Sequence, residues 1–297
     1  MRKPSNPPCL AALAVILAVG ALLAGCAADI PAESGSPTPE VSPSDVPTAP
    51  PDETAAPGCL EPRGRFEQYS LDSDLLYRPL VFRIYLPPCY DPQREPGYPL
   101  LILLHGQGSD ASQWERLGAD KAVEALIAAG ESSGMVLVLP YEQYDLLPPQ
   151  QTKFDKVLVG PLLDWMRENF AVCPVRQCTA IGGVSRGGAW AVRIGLEAWQ
   201  TFAAVGAHSL PPFPDEVARL ERQFKTVSPD ELPRLYLDVG RKDIWRDAAI
   251  EFHNFLTTQN VAHTWMLNEG SHEEAYWAAH ISEYIAWYNA ALGGEKP

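Results

Sequence analysis

The sequence predicts an α/β fold with a mostly parallel, doubly wound sheet, preceded by an antiparallel hairpin. Three observations carry this. Strand-like and helix-like segments alternate from about residue 100 to the end of the 297-residue chain, which implies a parallel sheet with helices on both faces. PLLILLHG (99–106) and MVLVLPY (135–141) are continuous apolar runs suited to strands buried on both faces. IGGVSRGGAW (181–190) sets Ser185 in a Gly-x-Ser-x-Gly frame between a strand-like and a helix-like segment.

In chain order, residues 64–72 and 78–87 read as two strands joined by a turn near Asp72 to Leu75. After the first apolar run, Trp114 to Ala129 has helical spacing, and Phe154 to Phe170 reads as a second helix. The strand 178–184 enters the serine turn and Gly187 to Glu197 leaves it as a helix. Strands at 202–209, 235–240 and 263–270 follow, with helices from about Trp245 to Thr257 and from about Glu274 to Leu292. Between Leu210 and Pro233 there is room only for a short helix, PPFPDEVARLERQF, over the site, so little or no lid and a shallow cleft are expected. Ligands of such sheets bind beyond the carboxyl ends of the strands.

The amino terminus has the layout of an export signal: Arg2 and Lys3, an apolar run from Leu10 to Ala24, then Gly25-Cys26. LLAGC (22–26) resembles the bacterial lipobox, which makes Cys26 the lipid-modified first residue of the mature chain. Residues 27–58 are rich in Pro, Ser, Thr and acid and cannot bury enough apolar surface to order themselves. At about 3.1 Å per residue, such a tether reaches up to roughly 90 Å from its anchor. The expected organisation is therefore a signal peptide (1–25), a lipidated cysteine with its tether (26–58) and one catalytic domain (59–297), extracytoplasmic and anchored to a bacterial cell membrane.

Of six cysteines, Cys9 leaves with the signal and Cys26 takes the lipid. The remaining four read as two disulfides in an exported chain. Antiparallel pairing of the hairpin brings residue 59 opposite roughly residue 90, favouring Cys59 with Cys89 and leaving Cys173 with Cys178. The formal net charge of −14 argues against nucleic acid and against electrostatic adhesion to anionic lipid.

A nucleophile on a strand-to-helix turn needs glycine on both flanks, because side chains there would collide. A serine also needs a general base within hydrogen-bond reach and a carboxylate that fixes the base's tautomer. In doubly wound hydrolases the chain order is Ser, then Asp or Glu, then His. His253 and His280 fall within predicted helices and His263 starts a strand, whereas His272, in NEGSH, sits just past the last strand. Among Asp238, Asp243 and Asp247, only Asp243 lies in the loop at a strand's carboxyl end. Oxyanion donors are expected from the backbone N–H of Arg186 and from HGQGSD (105–110), with Gln107 the candidate and Gly108 the alternative. His105 braces that loop rather than reacting.

These landmarks together resemble the esterase D or "putative esterase" branch of the α/β-hydrolase fold: VFRIYLPPCYD, YPLLILLHGQGSD followed by Trp114, LLDWMRENF, CPVRQCTAIGGVSRGGAW, DVGRKD and GSHEEAYW. The resemblance implies Ser185, Asp243 and His272 as a catalytic triad, an ester as substrate and no metal or organic cofactor. One departure stands out. The residue after the serine is usually apolar in that family; here it is Arg186, whose side chain either pairs with a nearby acid or contacts an anionic part of the substrate. Tyr141, Glu142, Tyr144, Trp245 and Trp277 lie near strand ends and are, with Trp114, candidates for lining the cleft. The expected activity is a monomeric serine esterase acting on small acyl or carbohydrate-linked esters. Acyl transfer to a sugar acceptor and a non-catalytic surface-binding lipoprotein are the alternatives.

Overall fold

A computed structural model describes residues 61–144 and 146–293. The expected signal, Cys26, the tether and Cys59 lie outside the described residues. Eight strands form one sheet in the order β1-β2-β4-β3-β5-β6-β7-β8. The strands are β1 (Arg65–Leu71), β2 (Leu80–Leu86), β3 (Leu100–Leu104), β4 (Val136–Pro140), β5 (Thr179–Val184), β6 (Ala204–His208), β7 (Arg234–Gly240) and β8 (His263–Asn268). β2 runs antiparallel to both β1 and β4, and every other neighbouring pair is parallel.

The core divides along the strand alternation. Leu100, Ile102 and Leu104 of β3 face one apolar layer, and Leu101 and Leu103 face the other. The helices are α1 (Gln113–Leu117), α2 (Ala119–Ala128), α3 (Phe154–Val157), α4 (Leu163–Asn169), α5 (Arg186–Glu197), α6 (Glu216–Gln223), α7 (Arg246–Thr258) and α8 (Glu274–Ala291). Trp114, Val123, Ile281, Tyr284 and Tyr288 bring α1, α2 and α8 onto the second layer. Val157, Met166, Trp190, Ile194, Leu220, Phe252 and Leu256 bring α3 to α7 onto the first. Both faces of the central strands are thereby covered, which is why they read as unbroken apolar runs rather than alternating ones.

Local departures from the sequence reading have local causes. β2 begins at Leu80 rather than near Arg78, because Pro79 has no N–H to give to the ladder. The segment read as one helix from Trp114 to Ala129 is two, divided by Gly118 at a φ of 89°. The helix read over 154–170 contains a π turn, Leu158–Leu162, around Pro161, whose missing N–H breaks the regular ladder. α6 does not roof the serine. Arg193 of α5 binds Asp215 at 2.9 Å and Glu216 at 3.1 Å, so α6 lies along α5. Cys173 and Cys178 form a disulfide just before β5, and Cys89 is disulfide-bonded.

Candidate active site

The chain enters the serine turn from β5 and leaves it as α5. Ser185 has φ 54° and ψ −125°, a strained left-sided conformation for a residue with a side chain. Its N–H donates to His208 O at 2.7 Å, tying the turn to β6. The flanking glycines are required by close approach: a Cβ on Gly183 would stand 2.2 Å from the Gly187 backbone, and one on Gly187 would stand 2.2 Å from Leu104 O. Ser185 is 8% exposed, with its hydroxyl at the carboxyl edge of the sheet.

Three loops converge there. His272 follows β8, and its Nε2 lies 2.8 Å from Ser185 Oγ. Its Nδ1 lies 3.0 Å from each carboxylate oxygen of Asp243, which follows β7. Asp243 also accepts the Trp245 N–H at 2.7 Å and a hydrogen bond from Ser209. Burial opposes ionisation of this carboxyl, but the donors from His272, Trp245 and Ser209 outweigh it and hold the group below the usual aspartate value. The carboxylate is therefore ionised at neutral pH and fixes the imidazole with its Nδ1 proton toward Asp243.

Ser209 was not legible in the sequence. It stands one residue past β6 at φ 53°, fully buried, and its hydroxyl accepts the Trp277 Nε1–H at 3.0 Å while donating to Asp243. The Trp277 ring in turn stands edge-on to His272 at 5.2 Å. Imidazole and carboxylate are thus held from behind by one serine and one indole.

The loop after β3 approaches the serine from the other side. A Cβ on Gly106 would lie 3.4 Å from Ser185 Cβ. The Gly106 N–H is taken by buried Gln113 Oε1 at 2.8 Å, so Gln107 carries the next N–H in the loop. Arg186, first residue of α5, carries an N–H with no intrahelical acceptor, at the positive end of the helix. His105 accepts the Glu142 N–H at Nε2 (2.9 Å) and donates from Nδ1 to Gly106 O (2.8 Å), joining this loop to the end of β4.

The aromatic candidates separate into three groups. Trp114 is 1% exposed, donates to Leu104 O at 3.0 Å and packs edge-on to His208, so it belongs to the core under the sheet and not to the cleft. Trp277, 5% exposed, supports His272 and Ser209 from behind rather than facing a substrate. Trp245, 41% exposed beside Asp243, and half-buried Tyr141, stacked on His105, stand at the rim.

Arg186 resolves toward the first of its two readings. Its Nε and Nη2 donate to the two oxygens of Glu142 at 2.9 and 2.6 Å, and Nη2 also donates to Leu147 O at 2.8 Å. Glu142 takes a further hydrogen bond from Trp190 Nε1 at 2.8 Å. The side chain proposed for substrate contact is buried in this clamp, because a carboxylate taken out of water requires the cation more than a solvated ligand does.

A second Asp–His pair lies beneath. Asp238, which the sequence reading set aside as a strand residue, accepts from Tyr276 (2.6 Å) and Tyr284 (2.7 Å) and lies 2.6 Å from His208 Nδ1. Asp238 and His208 are both 0% exposed, so this cluster braces the sheet and meets no ligand. Burial, with Asp238 adding to it, pushes the Tyr276 and Tyr284 hydroxyls well above their ordinary pKa, so they remain donors.

Comparison with known proteins agrees with this architecture. An acetyl esterase of Caldicellulosiruptor saccharolyticus is 21% identical over 226 residues, covering 63% of this chain and 82% of that protein. Among solved structures, a ferulic acid esterase superposes with a TM-score of 0.68 at 23% identity, covering 78% of this chain and 99% of its own. An S-formylglutathione hydrolase from Staphylococcus aureus gives 0.62 at 17% identity, covering 76% and 98%. These likenesses identify the fold as that of the α/β-hydrolases. The family model described as "Putative esterase" matches residues 73–294, and the chain belongs to that family of esterases.

Proposed function

We propose that the protein is a serine carboxylic-ester hydrolase in which Ser185, His272 and Asp243 act as a triad. The observation that carries this reading is the unbroken contact chain from Ser185 Oγ to His272 Nε2 (2.8 Å) and from His272 Nδ1 to Asp243 (3.0 Å). His272 takes the Ser185 proton as the oxygen attacks the ester carbonyl, and the developing oxyanion is held by the N–H groups of Arg186 and Gln107. His272 then protonates the leaving alcohol, and the acyl group stays on Ser185. Water, deprotonated by His272, attacks this acyl-enzyme and releases the acid. Asp243 remains ionised throughout and favours the imidazolium formed in each transition state.

Small acyl or carbohydrate-linked esters are the proposed substrates. The short connection between β6 and β7, with α6 held along α5, leaves the serine without a large roof. The names of the relatives, an acetyl esterase and a ferulic acid esterase, point the same way. The lipobox-like LLAGC and the Pro/Ser/Thr-rich segment support an extracytoplasmic enzyme anchored through Cys26, and the Cys173–Cys178 disulfide suits an oxidising compartment.

The test is turnover of 4-nitrophenyl acetate and labelling by a fluorophosphonate, wild type against Ser185→Ala. Turnover and labelling are expected to vanish in the variant; a variant that keeps both ends the triad assignment. Intact mass of membrane-extracted protein with and without Cys26→Ser tests the anchor, and an unmodified wild type rules it out.

A further inference from the structure

Two loops enclose a pocket that the reacting groups do not use. β2 runs antiparallel to β4 with Phe82 opposite Pro140. The β1–β2 loop and the loop after β4 therefore emerge at one edge of the sheet, the edge where Ser185 follows β5. Between them lies a pocket of about 410 Å³, a size that suits a small ligand. Leu75, Tyr77, Tyr144 and Leu147 give it an apolar lining, and Gln151 and Lys153 give it hydrogen-bond donors. Tyr77 is 97% exposed, Leu75 39% and Leu147 37%. Clustered exposure of large apolar side chains marks a binding surface. Gln143 lines a small adjoining void. It donates to Pro79 O at 2.6 Å, and its buried Oε1 has no hydrogen-bond partner among the described residues.

The wall of this pocket is fastened to the serine turn. Arg186, next to Ser185, clamps Glu142 and holds Leu147 O. The charge that departs from the family pattern thus holds one wall of the pocket through Leu147.

We propose that this pocket is a subsite for the alcohol portion of the ester, taking a sugar ring of an acylated glycan stacked on Tyr77 and hydrogen-bonded by Gln151 and Lys153. The proposal rests on the esterase reading above. Two arguments assign the alcohol side. β3 separates β4 from β5, so the pocket is displaced from the serine by two strand spacings, about 10 Å. A short acyl group, fixed at Ser185 by the oxyanion donors, does not span that distance, whereas a chain of sugar rings does. An exposed aromatic face rimmed by amide and ammonium donors also matches a neutral ligand with apolar faces and hydroxyl edges.

The full-length protein is to be assayed on two kinds of acetyl ester, 4-nitrophenyl acetate and acetylated oligosaccharides (xylo- and cello-), as wild type, Tyr77→Ala and Lys153→Ala. Tyr77 projects into solvent, so its removal leaves the fold unaffected. Each variant is expected to raise KM for an acetylated oligosaccharide by roughly three- to tenfold and to leave 4-nitrophenyl acetate turnover unchanged. Equal effects on both substrates, or none on either, overturn the proposal. So does a defect that grows with acyl length along a series of nitrophenyl esters, since that places the acyl group in the pocket. Calorimetry of Ser185→Ala with unacylated xylotetraose and cellotetraose separates the subsite from the chemistry: binding weakened by adding Tyr77→Ala supports the subsite even if the esterase reading fails, and absence of binding by both refutes it.

Discussion

Replacing Ser209 by alanine removes a hydroxyl that is wholly buried and bonded on both sides, donating to Asp243 and accepting the Trp277 indole N–H at 3.0 Å. A hydrogen bond to an ionised carboxylate is worth about 1.5–3 kcal/mol, and an indole N–H left without an acceptor costs about 1–3 kcal/mol. The two losses share one site and do not add fully, so about 2–4 kcal/mol of stability is expected to disappear. Catalysis should suffer less. Asp243 keeps the Trp245 N–H and its contact with His272, so the imidazole remains oriented but its carboxylate can pivot. A loss of about tenfold in kcat, close to 1.4 kcal/mol, with little change in KM is the expected outcome. Trp277→Phe is the companion: it keeps a ring against His272 and leaves the Ser209 donor in place, so its rate should stay near wild type while its melting temperature falls. Melting curves and steady-state kinetics on 4-nitrophenyl acetate read both effects. A destabilised Ser209→Ala variant with the wild-type rate would refute the reasoning. Equal rate losses in the two variants would shift the cause to packing around His272.

Other perturbations follow from the same geometry. Gly187→Ala places a methyl 2.2 Å from Leu104 O, so the turn cannot close and fluorophosphonate labelling should fall at least about a hundredfold; near-normal labelling would show that the turn tolerates a side chain. Arg186→Leu keeps the backbone donor but leaves Glu142 buried without its cation, which is expected to cost about 3–5 kcal/mol in chemical denaturation, and the Arg186→Leu/Glu142→Leu double variant should recover part of that; additive losses would contradict the clamp. Arg193 holds the Asp215 carboxyl down at about 2 from its ordinary 3.8. A depressed folded value contributes stability above the unfolded value and loses it as pH falls through the folded one. Asp215→Asn should therefore flatten the decline in stability between about pH 4 and pH 2, measured by denaturant titration at each pH, with only a modest amplitude because the side chain is 41% exposed.

What could be read from the chain alone depended on whether the cause was local. LLILL and VLVLP announce strands buried on both faces without any tertiary knowledge, and the Gly-x-Ser-x-Gly frame reports a collision that occurs within a few residues. Asp243 and His272 were found by their position after strands, a one-dimensional property. Ser209 was not, since its role needs a left-handed residue after β6 to meet loops carrying residues 243 and 277. Trp114 was misplaced because nearness in sequence to the loop after β3 does not tell which face of α1 the ring takes. The partner of Arg186 was hidden for a related reason: Glu142 reaches it only because β4 lies two strands from β5, an order that chain sequence does not reveal.

The sheet's strand order divides labour within the molecule. The residues of the contact chain follow β5, β7 and β8, while the pocket walls follow β1 and β4, on the opposite flank of the serine. Side-chain substitutions in residues 72–79 and 148–153 touch none of the contacts that hold Ser185, Asp243 and His272. The two flanks are fastened where Arg186 holds Glu142 and Leu147 O, so that clamp sets how far one drifts while the other stays fixed. A new specificity could thus be grafted onto an unchanged reaction by rebuilding one flank and sparing a single arginine clamp.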